Sequence, residues 1–173
     1  QKEIDCFGNY VDMPAFAPNG SRIAYVDHAS HQLGSYAWDP VPKVASNPVL
    51  LADPGDDPSL NAIAFPSMSP DAEWIVYHRG AYPNSLDTRF GNGYLYLASS
   101  TQPGAEVRLA NLNGDGYPFA AGDRDRGYNY EPTFAPLEAG GYAWVVFTSR
   151  RTYGNRLIAT GSGPALQVSV NDG

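Results

Sequence analysis

The hexapeptide Asn111-Leu112-Asn113-Gly114-Asp115-Gly116 sets side-chain oxygens at alternate positions ahead of a glycine. A calcium-binding loop begins in that order, with oxygen ligands preceding the residue that makes the sharp turn. Here the ligands would be Asn111, Asn113 and Asp115, with Asp123 the nearest downstream carboxylate and Asp125 close behind. The twelfth position, where such a loop carries its bidentate glutamate, is Gly122. Two of the early ligands are neutral amides, which weakens the pull on a dication. Asn, Asp and Gly also tolerate positive φ, so the segment reads either as a Ca2+ loop or as a glycine-rich turn between strands.

Three histidines raise a second metal chemistry. His28 and His31 lie in His28-Ala29-Ser30-His31, and His78 ends a later strand at an equivalent place. A zinc or manganese site needs about three converging protein ligands, and no recognisable carboxylate or glutamine motif accompanies these three. Histidines without a metal are therefore the expectation. Gly161-Ser162-Gly163 has the look of a nucleophile elbow only at its centre; with no base to activate the serine it reads as a turn, and catalysis within this chain is not expected. Recognition is better served by Asp123-Arg124-Asp125-Arg126-Gly127-Tyr128-Asn129-Tyr130 and by Arg150-Arg151. Alternating charge followed by Tyr128 and Tyr130 suits a protein or sugar surface, because tyrosine offers rigid contact area with a polar tip. The competing reading is a solvated loop whose charges pair among themselves to little effect.

The elements that position these residues repeat. Three times a Pro-x-Φ-x-Pro unit (Φ apolar) precedes a turn and a β-branched, aromatic strand: Pro14-Ala15-Phe16-Ala17-Pro18, Pro66-Ser67-Met68-Ser69-Pro70 and Pro132-Thr133-Phe134-Ala135-Pro136. The following strands are Ile23-Ala24-Tyr25-Val26, Ile75-Val76-Tyr77-His78 and Val145-Val146-Phe147-Thr148, and the third copy carries extra residues around Gly140-Gly141. Each copy then supplies a third and a fourth strand: 35–38 and 48–52, 94–98 and 105–109, 156–160 and 166–170. Proline donates no ladder hydrogen bond, so Pro14, Pro66 and Pro132 should mark strand starts and Pro18, Pro70 and Pro136 strand ends. A four-stranded unit recurring in this way is the signature of a propeller blade. Blade one covers about 10–55, blade two about 61–112 and blade three about 128–173, making one all-β, partial propeller domain over 1–173.

Composition agrees. With 18 Gly, 15 Pro and 12 Tyr in 173 residues, short strands and tight turns are favoured over helices, and no apolar stripe of helical period persists. The net charge of −7 comes without a basic patch, which excludes a nucleic-acid partner, since phosphate backbones need dense positive charge. Cys6, the one cysteine, rules out an internal disulfide framework. No apolar run approaches the roughly 18 residues of a transmembrane helix. A start at Gln1 without a leader pattern suggests a processed product or an excerpt of a longer precursor.

The run Pro14 to Tyr25 resembles the Pro-x-Phe-Ser-Pro-Asp-Gly repeat of TolB-type propellers, which also occurs in propeller domains of prolyl-oligopeptidase-class peptidases. Copy two keeps Ser69-Pro70-Asp71 but has Ala72 where that repeat prefers glycine. Copy three, from Tyr130 to Arg151, is similar to segments of large exported bacterial proteins whose strands end in Phe-Thr-Ser-Arg-Arg. The resemblance implies blades of four antiparallel strands, about three of them here, within a ring of six to eight. It also implies export, to the periplasm, outer surface or medium.

Function follows the fold only loosely. The expected role is a non-catalytic module for protein–protein interaction or structural assembly. The alternative is a carbohydrate-active or metal-dependent propeller enzyme, a polysaccharide lyase or hydrolase with part of its site in this chain. The partners expected are other protein chains or missing blades of the same protein, with a homo-oligomer of three plus three blades as one form. Recognition should use loops 28–34, 82–92 and 123–130. Phe16, Met68 and Phe134 should share one depth of burial, and most of Tyr82, Tyr94, Tyr117, Tyr128, Tyr142, Trp38, Trp74 and Trp144 should fill the spaces between blades.

Overall fold

The computed structural model describes residues 11–82, 91–118, 127–151, 156–158 and 167–169, the last two segments as backbone strands only. Among these there is no α-helix. The first blade is an antiparallel sheet of β1 (Val11–Phe16), β2 (Arg22–Asp27), β3 (Leu33–Asp39) and β4 (Val44–Ala52), paired in chain order. The second repeats it with β5 (Ala62–Met68), β6 (Trp74–Gly80), β7 (Tyr94–Ser99) and β8 (Glu106–Arg108). In the third unit β9 (Asn129–Phe134) pairs with β10 (Val145–Ser149), while β11 (Arg156–Ile158) and β12 (Gln167–Ser169) form a separate antiparallel pair.

The turn that follows each inner strand is built by the repeat itself. In blade one the Asn19 side chain accepts from the Ser21 amide at 3.0 Å, and Gly20 takes φ +73°. In blade two Asp71 accepts from the Glu73 amide at 3.0 Å, and Ala72 adopts φ +65° in the glycine's place. The Ser69 hydroxyl, bonded to Asp71 at 2.5 Å, and the Glu73 amide together hold the Asp71 carboxyl below its usual range.

The inner strands end before Pro18, Pro70 and Pro136, as the sequence predicts, but Pro14, Pro66 and Pro132 do not start them. Each of these sits inside its strand at a bulge. The residue ahead is left-handed in all three copies, with Met13 at φ 51°, Phe65 at 52° and Glu131 at 51°. Pairing registers shift between Asp12 and Ala15, between Ala64 and Ser67, and opposite Val146 and Thr148. A bulge leaves its extra residue outside the ladder, so a proline is tolerated there without an interior donor being missed.

Strand alternation then sorts side chains between the two faces of each blade. Register puts Phe16 beside Ile23, Met68 beside Ile75 and Phe134 beside Val145 on the face towards the preceding position. On the opposite face lie Ala24, Val76 and Val146 at one level, and Val26, His78 and Thr148 at the next. The core between blades one and two joins Ala24, Val26, Leu33 and Leu51 from one side to Met68, Ile75 and Tyr77 from the other. Burying each of the larger of these contributes on the order of 1.5–3 kcal/mol.

Equal burial of the three inner apolar residues does not hold. Met68 is 3% exposed and Phe134 8%, whereas Phe16 is 56% exposed. Met68 and Phe134 each face a preceding blade, and Phe16 faces the flank where the described residues supply none. Of Tyr82, Tyr94, Tyr117, Tyr128, Tyr142, Trp38, Trp74 and Trp144, most do not fill interblade space: Trp74, Tyr82, Tyr117, Tyr142 and Trp144 are exposed.

Candidate functional site

The three bulges come together. Strand β5 lies against both β1 and β9, and Met13-Pro14, Phe65-Pro66-Ser67 and Glu131-Pro132-Thr133 line a single open cleft of about 410 Å³. This is the inner wall of the blade array. Left-handed residues ahead of prolines are disfavoured conformations, and here their amides are spent between neighbouring blades. The Phe65 amide donates to Met13 Sδ at 3.1 Å, and the Glu131 amide donates to His78 Nδ1 at 3.1 Å. Three residues after Glu131, the Phe134 amide donates to Ser67 Oγ at 3.0 Å. The cleft thus presents one carboxylate, from Glu131, and the hydroxyls of Ser67 and Thr133.

His78 is fully buried between blades two and three, 5.2 Å from the Phe65 ring and edge-on to Tyr130 at 5.9 Å. Because its Nδ1 accepts from Glu131, the ring proton belongs on Nε2. His28 lies instead on an exposed turn of blade one, its Nδ1 2.6 Å from Asp12, and that hydrogen bond, reinforced by the charge of Asp12, raises its pKa. His31, at φ 57°, stacks on Tyr82 at 4.2 Å. His28 and His31 border one small cavity of about 50 Å³ with Asp12, and His78 stands in the other seam. Among the described residues no three His, Cys, Asp or Glu side chains converge as a metal site.

The loop read as a calcium half-loop has a different internal order. Asn113 is fully buried, and its side-chain amide clasps the backbone of Leu95, with Oδ1 accepting from the Leu95 amide and Nδ2 donating to the Leu95 carbonyl, both at 2.8 Å. It acts as a short extra piece of strand beside β7. Asp115 pairs with Arg108, and the Asn111 carbonyl accepts from the Gly114 amide at 3.1 Å. The oxygens of Asn113 and Asp115 are thus directed at protein donors, while Asp123, the fourth expected ligand, lies outside the described residues.

Of the expected recognition loop, Asp123, Arg124, Asp125 and Arg126 lie outside the described residues. Tyr128 is half-buried beneath the Arg150 guanidinium, 5.4 Å from the ring centroid, and its carbonyl accepts from the Arg150 amide at 3.0 Å. Tyr130 is fully buried, its hydroxyl donating to the Gly91 carbonyl at 2.5 Å, and burial raises its pKa. It is a post between blades two and three rather than a contact surface. Arg151 donates to the Leu112 carbonyl, joining the same seam.

Sequence reasoning missed a polar cluster between blades one and two. Tyr77 and Arg79 both bond to Glu106, Arg79 at 2.5 Å, and Arg79 also donates to the Asp53 carbonyl at 2.9 Å while lying 5.2 Å from the Tyr96 centroid. Burial and the negative charge of Glu106 push the Tyr77 hydroxyl well above its usual pKa. The period-two spacing of Tyr77 and Arg79 was the available signal.

No family model and no curated protein matches the chain. Among solved structures it is similar to TolB from Acinetobacter baumannii, at 17% identity and a TM-score of 0.41, over 82% of this chain and 30% of that one. The chain therefore spans less than a third of that structure's length.

Proposed function

We propose that this chain is a non-catalytic propeller module of an exported bacterial protein, working through protein–protein contact or structural assembly. One observation carries the reading. The side chains whose types suggested chemistry, Asn113, Tyr130, Arg151 and His78, are tied into the scaffold by hydrogen bonds, while large apolar and aromatic residues stand at the surface. Exposed aromatic area on a rigid sheet framework is what protein partners use. Export rests on the likeness of copy three to exported propeller proteins.

The test pairs two measurements on the purified chain. Incubation with uronate-containing and neutral polysaccharides, with and without divalent metal, is expected to yield no new reducing or unsaturated ends. Cell fractionation of the source organism should find the protein outside the cytoplasm. Turnover of any polysaccharide would overturn the reading in favour of an enzyme, and an exclusively cytoplasmic location would overturn the export half.

A further inference from the structure

The repeat places the same side-chain position in three different settings, which identifies what each setting lacks. On the face towards the preceding blade, Met68 and Phe134 are covered, and Phe16 at the same position is 56% exposed, its ring edge-on to Trp38 at 5.8 Å. On the face towards the following blade, Ala24 and Val76 are fully buried, and Val146 at the same position is 69% exposed beside an exposed Trp144. So, among the described residues, blade one leaves its front face uncovered at Phe16 and blade three its back face uncovered at Val146. These are the two halves of one interface type, already made twice within the chain: back of one blade on front of the next, as with Val26 against Met68 and Ser67 against Phe134.

We infer that a second copy of this chain docks head-to-tail, the Phe16 face of one copy seating on the Val146 face of the other and continuing the blade-to-blade seam across the boundary. Such a contact continues a seam that the chain already makes between its own blades. A partner that fits the Val146 face must present an apolar residue from a bulged Pro-x-Φ-x-Pro strand, as blade three presents Phe134 to blade two. Blade one of another copy presents Phe16 from that very strand, and in either orientation each copy supplies the face the other lacks. Such an interface is heterologous, since different surfaces meet.

The inference rests on the proposed role as an assembling module, but the two fail separately. Polysaccharide turnover would sink the role and leave the seam, whereas a strictly monomeric chain would sink the seam and leave the role. Sedimentation velocity over a concentration series tests it on the full chain, using Phe16→Glu and Val146→Glu. Both positions are exposed, so folding survives, which circular dichroism checks. Wild type should associate with rising concentration, and each variant alone should weaken association at least about tenfold, because a carboxylate is buried unpaired in the seam. Mixing the variants should restore a one-to-one species, as the Val146→Glu chain keeps a good front and the Phe16→Glu chain a good back. A wild type that stays monomeric would overturn the inference. So would association sensitive to neither or only one substitution, or two variants that fail to rescue each other.

Discussion

Replacing Asn113 by alanine removes a side chain that touches no solvent and serves as backbone. The Leu95 amide donates to Asn113 Oδ1, so its loss leaves a buried donor unpaired. The Leu95 carbonyl still receives the Leu109 amide at 3.0 Å, so there only one of two bonds is lost. An orphaned buried donor costs about 1–3 kcal/mol and a net hydrogen bond about 0.5–1.5 kcal/mol, giving roughly 2–4 kcal/mol for Asn113→Ala. For a chain of this size the melting midpoint should fall by about 2–4 °C per kcal/mol. Denaturant unfolding followed by tryptophan fluorescence measures the difference directly. Asn111→Ala, two residues away and exposed, is the control and should change stability by less than about 0.5 kcal/mol. Added Ca2+ should leave the wild-type midpoint in place, because the Asn113 oxygen already accepts from Leu95. If Asn113→Ala matched the control, or if Ca2+ raised the midpoint and the substitution abolished that rise, the strand-mimic argument would be wrong.

Gly93→Ala should be more damaging still: a Cβ there would lie 2.3 Å from the Asn129 carbonyl oxygen and 2.7 Å from the Tyr130 ring. Since backbone must move to relieve that clash, a loss of about 3 kcal/mol or more is expected by chemical denaturation, and a neutral result would mean the blade two–three seam is not closed there. Ala72→Gly should be far milder, because relief of φ +65° at a non-glycine position, about 1–2 kcal/mol, is offset by the entropy of glycine and by loss of a buried methyl worth about 0.8 kcal/mol; a change in stability of more than about 1 kcal/mol would refute it. The His28–Asp12 pair sets a pH dependence. With its folded-state pKa raised from 6.5, His28 contributes stability that is fully present below pH 6.5 and is lost as pH rises through the raised value. NMR titration should find that Asp12→Asn returns His28 towards its ordinary pKa, and an unchanged titration would remove Asp12 as the cause.

Strand order and turn positions were legible because they depend on local chemistry. Proline ends β1 and β5, Asn19-Gly20 and Asp71-Ala72 build the turns that follow, and β-branched residues fill β2, β6 and β10. The bulges were less legible. A left-handed residue is announced by glycine when glycine supplies it, but Met13, Phe65 and Glu131 are held at positive φ by the strand pairing on either side. Only their shared place ahead of a proline marks them. The candidate site suffered from a related ambiguity, for an amide that could ligate a cation is the same amide that can complete a strand. Asn113 became a strand mimic because Leu95 lay across from it, a contact between residues 18 apart that loop spacing does not encode.

Repetition supplies a control that a single-copy fold lacks. When two residues differ in exposure, side-chain type and neighbours usually change together. Here the comparisons of Phe16 with Phe134 and of Val146 with Val76 hold residue type and strand position fixed, and the buried member of each pair is the one that a described neighbouring blade faces. Fully covering a phenylalanine or valine contributes about 1.5–3 kcal/mol, a free energy that the two inner seams realise and the two outer faces do not. The same reasoning separates these faces from incidental surface apolar residues such as Val41, which is 89% exposed on the connection between β3 and β4. Among the described residues Val41 has no buried apolar counterpart in the repeat, and its exposure carries no implication of a partner.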